Sequence, residues 1–267
     1  MTNKETYTKT FIEALSIEKN KLINLSMSKK NKKNLKQKKI RFFGLIPAKG
    51  ISTQIKKKNL LKIKGETLVS IAIKNAKKSK YLDDIFLSSE NQKILNIAKK
   101  LGINSVKRPK KFSTGHIESK YLVFDFLKKN KEIKSNDYIV YLQPTSPLRS
   151  SKHIDDAIKI ILKSKRNSLT SVRPFESKIF KSLIIKKDKI KTLFKNDNAS
   201  QSRQKLPKVY LPNGSIYIFK VLNFLKNKNF LVNNSIQYLM SKNESLDIDS
   251  LDDFKEFQKK FNPKSMA

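Results

Sequence analysis

Between Ile40 and Leu162 the chain alternates short apolar runs with stretches of helical spacing, separated by polar loops. Arg41 to Pro47 reads as a buried strand, a polar loop runs to Asn59, and Leu68 to Ala76 repeats its apolar residues at helical intervals. Asp84 to Ser88 reads as a second strand, and Gln92 to Leu101 as a helix stopped by Gly102. Residues 119 to 129 read as a helix, 138 to 142 as a strand and Ile154 to Leu162 as a helix. This alternation predicts an α/β fold, a mostly parallel open sheet with helices on both faces. After about residue 168 the pattern turns to short β-like pieces, such as Ser182-Leu183-Ile184-Ile185 and Ser215-Ile216-Tyr217-Ile218-Phe219. In an open parallel sheet, ligands bind outside the carboxyl ends of the strands. There the run Tyr138 to Leu142 opens into Gln143-Pro144-Thr145-Ser146-Pro147-Leu148-Arg149, whose two prolines hold Thr145 and Ser146 in one pose.

Composition narrows the chemistry. The 267 residues include no cysteine, which excludes disulfides, thiolate nucleophiles and cysteine-ligated zinc, and accords with a reducing cytoplasm. With only His116 and His153, a histidine-rich metal site is excluded as well. No apolar span approaches the roughly 20 residues of a transmembrane helix, and the polar, lysine-rich N-terminus lacks the apolar core of a secretory signal. A net charge of +37 points toward nucleic acid in principle. Six of the 59 basic residues are Arg, however, and Lys, Asn and Ile are abundant throughout, as in a coding sequence drifted toward A and T. That drift spreads Lys over every solvated face, and it makes the few Arg residues informative, because Lys cannot reproduce a planar fork. Residues 1–38 differ in texture and read as a lysine-rich extension, either a solvated tail or a segment for a phosphate-rich partner or the protein's own oligomer. Residues 39–262 are expected to form the main domain, and residues 263–267 a tail.

Four stretches carry candidate chemistry. The first strand opens into a loop with Gly50 for close backbone approach and several cations, a plausible cradle for a triphosphate. Arg108-Pro109 is followed by Ser113, Gly115 and Ser119; the plain alternative for Arg108 is a surface arginine. The third is the proline-stiffened loop, and the fourth the string Ser202-Arg203-Gln204-Lys205-Leu206-Pro207 continuing to Asn213-Gly214-Ser215-Ile216-Tyr217. Ser88-Ser89-Glu90 reads as a turn and helix cap. Near the end, Asp247-Ile248-Asp249 on a strand would turn both carboxylates to one face, within reach of one hard cation; a solvated acidic turn is the alternative.

In order, from about Ile40 to Phe254, these strings resemble the acylneuraminate (CMP-sialic acid synthetase-like) cytidylyltransferases. The first loop resembles the family's I-P-A-R-x-x-S-K-x-x-x-x-K-N: Lys49 stands where the family has Arg, Ser52 is kept, Thr53 replaces Lys, and Lys58 and Asn59 match the closing pair. Gly115 departs from the usual Asp, and Ser88-Ser89-Glu90 is similar to the family's S-T-D. The resemblance implies a nucleotide site of Lys49, Ser52, Lys58, Asn59, Arg108 and Ser119, and a sugar site of Gln143, Arg203, Gln204, Asn213 and Tyr217. It implies Mg²⁺ held by Asp247 and Asp249, with Lys49 and Lys58 completing the catalytic group and Arg149 tying its loop down. The implied reaction joins CTP to a nonulosonic (sialic-type) acid, giving a CMP-sugar and pyrophosphate, in capsule or lipopolysaccharide biosynthesis. The implied assembly is a cytoplasmic homodimer with residues 165–212, a small β-rich insertion, packed across the partner. Three other readings stay open: a cytidylyltransferase for the eight-carbon sugar Kdo, a homologue that binds without turnover, and nucleic-acid binding through the basic extension.

Overall fold

The computed structural model describes residues 40–52, 54–113, 118–194, 196–230 and 234–261, all in the compact unit that begins at Ile40. The expectations for residues 1–38, Thr53, Gly115 and the tail lie outside the described residues.

Strand β1 (Phe42–Pro47) leads through the small β2 (Lys62–Ile63) and β3 (Glu66–Thr67) ladder to helix α1 (Leu68–Lys77). There follow β4 (Asp84–Ser89), α2 (Gln92–Lys100), β5 (Asn104–Lys107), α3 (Ser119–Lys129), β6 (Tyr138–Tyr141) and α4 (Ser151–Ser164). The second half contains β7 (Ser168–Phe175), β8 (Leu183–Lys186), β9 (Lys189–Thr192), α5 (Asn196–Ser200), β10 (Val209–Lys220), α6 (Val221–Asn227), β11 (Ile236–Leu239) and α7 (Leu251–Phe261). Seven strands form one sheet in the order β11-β7-β10-β6-β1-β4-β5. All are parallel except β10, which runs antiparallel to both β6 and β7.

Alternation along the buried strands feeds two layers. Phe42 and Ile46 of β1 pack with Val69 and Ile73 of α1, Ile94 of α2 and Ile154 and Ile158 of α4. On the opposite face Phe43 meets Phe86, Phe86 meets Phe126 of α3 edge-on, and Phe219 of β10 meets Phe224 of α6. The helix starts have local causes. Thr67 accepts the Ser70 N–H to cap α1, Asn91 accepts from Lys93 and Ile94 to cap α2, and Ser150 with His153 forms a capping box on α4.

Two expectations are corrected. The short β-like piece Ser215–Phe219 is the inner part of the twelve-residue β10, which joins the main sheet and changes register between Pro212 and Tyr217. Asp247 and Asp249 are not on a strand; the chain from Ser245 to Asp249 forms no helix or ladder and is pinned where the Ile248 N–H donates to the Thr145 carbonyl at 2.8 Å. The alternation of faces survives, because Ile248 is buried against Ile55, Ile63, Leu68 and Phe257.

From β1 the chain steps to β4 and β5 on one side and then crosses to β6 on the other, so the order reverses at the β1/β6 junction. In an open α/β sheet that junction is where a crevice forms.

Candidate active site

A cleft of about 290 Å³ opens at that junction, walled by Pro47 and Lys49 after β1 and by Tyr141, Gln143, Pro144 and Thr145 at the end of β6. Lys58, Asn59, Arg108 and Ser119 line it too, as do Asp247 and Asp249. Residues after β1, Arg108 with Ser119, the end of β6, and Asp247 with Asp249, far apart in sequence, thus meet in one space, while the 202–217 string does not line it.

The loop after β1 is folded back on itself. Lys57 takes a left-handed conformation (φ 55°) and starts a 3-10 turn, Lys58–Leu60, that returns Lys58 and Asn59 to the cleft. The Asn59 amide donates to the Lys49 carbonyl at 2.8 Å, joining the two ends of the loop. Its Oδ1 is buried with no partner among the described residues. Between these ends the loop leaves the cleft to bury Ile55 in the core, and Ser52, half-buried, does not line the cleft. Burial, with Lys58 and Arg108 nearby, holds the Lys49 ammonium below the ordinary lysine value.

Lys58 reaches across to Asp249, Nζ to Oδ1 2.8 Å, the lysine buried and the aspartate 59% exposed. Asp247 is more deeply set. Burial, reinforced by Asp249, raises its carboxyl above the usual range against the opposing hydrogen bond from Thr145. Asp247 Oδ1 is buried without a hydrogen-bond partner among the described residues. No group of three or more His, Asp or Glu so placed as to hold a metal ion by itself occurs among those residues. Two carboxylates, one of them with an unused oxygen, fit a small hard cation such as Mg²⁺, which takes one or two protein carboxylates and the rest of its shell from phosphate and water.

Gly214 explains a close approach here. At φ +72°, a Cβ on it would stand 2.7 Å from both Asp247 Oδ2 and Gln143 Oε1. Arg149, only 1% exposed, donates through Nη1 to the carbonyls of Gln143 (2.9 Å) and Ser215 (2.7 Å), so it ties the proline-stiffened loop to β10 as expected.

Four residues of the expected sugar site, Arg203, Gln204, Asn213 and Tyr217, do not line this cleft. Arg203 and Gln204 lie exposed on a 3-10 turn and do not line the cleft. Asn213 faces inward: its Oδ1 accepts from Ser171 Oγ and the Ser215 N–H, and its Nδ2 donates to Ser245 Oγ and Met240 Sδ. That amide is fully occupied in holding the irregular part of β10. Tyr217 sits beside the cleft rather than in its wall, packed edge-on against Tyr141 and Phe230, with burial and Asp247 both raising its hydroxyl pKa.

Sequence reasoning gave no site role to Tyr141 or Glu90, and placed Thr145 in the loop without a partner. Tyr141 read as an apolar strand residue, yet it lines the cleft, bonded to Ser119, and burial pushes its hydroxyl up to about 12. Glu90 read as part of a helix cap. Asn91 is the cap, and Glu90 is a buried ion-pair partner of Arg108. A lone acid at a strand end gives no pattern from which such a role can be read.

Comparison with known proteins gives a consistent result. A cytidylyltransferase family model matches residues 43–261. An N-acylneuraminate cytidylyltransferase of Streptococcus agalactiae serotype III is 32% identical over 214 residues, 79% of this chain and 51% of the relative. The chain therefore spans about half the length of that relative. A pseudaminic acid cytidylyltransferase of Campylobacter jejuni is 26% identical over 219 residues, covering 80% of this chain and 93% of that one. Among solved structures, a CMP:2-keto-3-deoxy-manno-octonic acid synthetase complexed with CTP superposes with a TM-score of 0.62 at 11% identity, covering 83% of this chain and 98% of that chain. At that identity the likeness is one of fold.

Proposed function

On the premise that this chain belongs to the cytidylyltransferase family, we propose that it transfers the CMP group of CTP to a nonulosonic (sialic-type) acid with release of pyrophosphate. The observation that carries this reading is the meeting of Lys49, Lys58, Asn59 and Arg108 with Gln143, Asp247 and Asp249 in one cleft. Both named relatives at 26–32% identity are cytidylyltransferases for acidic sugars, which favours that substrate class over Kdo.

In the reaction the anomeric hydroxyl of the sugar attacks the α-phosphorus of CTP in line. A new O–P bond forms, the bond to the bridging oxygen of the β-phosphate breaks, and the hydroxyl proton passes to solvent. Lys49 and Lys58 hold the triphosphate and offset its charge as it moves toward the leaving pyrophosphate. Arg108 and Ser119 hold the nucleoside, the unpaired Oδ1 of Asn59 accepts from it, and Gln143 orients the sugar. Asp247 and Asp249 are the residues that would hold Mg²⁺, which supplies further charge neutralisation when bound. Lys58 then exchanges its contact with Asp249 for the phosphates.

The exposed apolar hairpin, with Ile185 79% and Ile190 68% exposed, supports a homodimer through residues 165–212. No helix among the described residues is long and apolar enough to cross a membrane, and the proposed enzyme acts in the cytoplasm, where CTP is available.

The reading is tested by phosphorus NMR of a mixture of CTP, Mg²⁺ and N-acetylneuraminic, legionaminic or pseudaminic acid. A CMP-sugar phosphodiester signal should grow with one of them and vanish with Asp249→Ala. A folded protein that binds CTP but forms no phosphodiester with any of the three, nor with Kdo, would instead be a homologue that only binds.

A further inference from the structure

The carboxylate of Glu90 lies outside the cleft wall, yet it touches three separate parts of the site. Its Oε1 accepts the Gly50 N–H of the phosphate loop at 2.6 Å. Its Oε2 accepts from Arg108 Nε and Nη2, each at 3.2 Å, and from the Ser113 hydroxyl. Arg108 Nε is also 2.9 Å from Ser113 Oγ. Both members of the pair are nearly closed to solvent, with side-chain exposures of 3% for Arg108 and 6% for Glu90.

The backbone repeats the same ties. The Ala48 N–H donates to the Ser88 carbonyl at 3.0 Å, and the Arg108 N–H to the Ser89 carbonyl at 3.0 Å. The next residue, Asn91, closes on Gly50 so tightly that a Cβ there would stand 2.5 Å from Asn91 Nδ2. The end of β4 is thus a common anchor for the phosphate loop on one side and the Arg108 wall on the other.

We propose that Glu90 is a positioning residue: it couples the loop that grips the triphosphate to the arginine that grips the nucleoside, so that both close on CTP as one unit. The inference rests on the nucleotide reading of this cleft. Its physical basis is that a buried guanidinium held at Nε and Nη2 by one carboxylate has a fixed plane, so its remaining N–H groups point one way. The same carboxylate compensates the Arg108 charge, leaving Lys49 and Lys58 as the cations that act on phosphate. Arg108 then recognises nucleoside by hydrogen-bond geometry.

Calorimetric titration of CTP and of inorganic tripolyphosphate, with a thermal melt of each variant, tests this. Glu90→Gln keeps the length and an acceptor for Gly50 but removes the charge that fixes Arg108; it should weaken CTP about 10-fold or more. Tripolyphosphate, which makes no use of the Arg108 wall, should weaken far less. Because Glu90→Gln leaves a buried Arg uncompensated and can fail to fold, Glu90→Asp is measured beside it. That variant keeps the charge but withdraws it by one methylene, and should fold and weaken CTP more than tripolyphosphate. The Gly50 amide, one of only six glycine signals, should shift in its nitrogen–proton NMR spectrum in either folded variant. If the natural chain binds no CTP, the nucleotide reading itself falls. If it binds CTP and the folded variants bind CTP equally well, or lose CTP and tripolyphosphate by the same factor, the coupling role alone is overturned.

Discussion

Lys49 shows how a single substitution within a family loop sets a measurable pH dependence. Burial and the nearby Lys58 and Arg108 lower its ammonium pKa, so it loses its proton at a lower pH than an ordinary lysine. CTP affinity should therefore fall on the alkaline side, and Lys49→Arg, which cannot be deprotonated in that range, should hold affinity constant through that limb. Titrating CTP against both proteins between about pH 7 and pH 10 checks this. Glu90 gives the opposite sign. Burial opposes its ionisation, but hydrogen bonds from Ser113 and Gly50 and the charge of Arg108 outweigh it, leaving the carboxyl below its ordinary range. Its contribution to stability is present above the unfolded glutamate pKa of about 4.3 and is lost as pH falls through the lower folded value. Acid denaturation of Glu90→Gln should lack that part of the slope. At Gly214, Ala would meet two carboxylate and amide oxygens at 2.7 Å from a left-handed backbone. A loss of about 1–3 kcal/mol in denaturant stability is expected, together with most of the activity. These roles had unequal visibility in the sequence. Lys49, Lys58 and Asn59 were legible because motif spacing survives folding, whereas Glu90 and Thr145 act through partners that only the tertiary structure brings near.

Among the elements, α1, α2, α3 and α4 were legible from their apolar spacing, while the side-chain caps of α1, α2 and α4 emerge only in the structure and α3 has none. The cap of α2 was read one to three residues early, at Ser88-Ser89-Glu90; Asn91 supplies it, its side chain accepting two backbone N–H groups. Asn91→Ala should cost about 1 kcal/mol in thermal or denaturant unfolding. It should also loosen the Gly50 contact. Of strand β10 only Ser215 to Phe219 was read from the sequence; the strand runs from Val209 to Lys220 and includes Pro212 and Gly214. Both are tolerated at the register change beside β7, where Asn213 turns inward and satisfies the irregular backbone. The sheet order explains why periodicity could not supply this: an antiparallel strand between β6 and β7 is a choice of partner, not a local pattern. Strand β8 was legible as β structure from Ser182 to Ile185, but neither its pairing with β9 nor the exposure of the hairpin was. In light scattering, Ile185→Lys with Ile190→Lys should shift the natural chain's proposed dimer mass to that of a monomer; an unchanged dimer would place the interface elsewhere.

For the whole molecule, the net charge of +37 does not by itself locate a site, since cations spread by composition do not define a surface. The informative cations are the three that the fold gathers: Lys49, Lys58 and Arg108, facing Asp247 and Asp249 across one cleft. Their convergence at the reversal of strand order was predictable in kind from the alternation of strands and helices. Which motif residues reach it was not: Ser52, Arg203, Gln204 and Asn213 belong to matching strings but leave the wall because neighbouring residues are drawn into the core or a turn. The most direct measurement of the central claim is pyrophosphate release with Mg²⁺, offering CTP, UTP, ATP or GTP against N-acetylneuraminic, legionaminic and pseudaminic acids and Kdo. Release with CTP and one nine-carbon acid, lost in Asp249→Ala, is the predicted result. Release with Kdo alone, or no release from a folded protein with any pair, would contradict it.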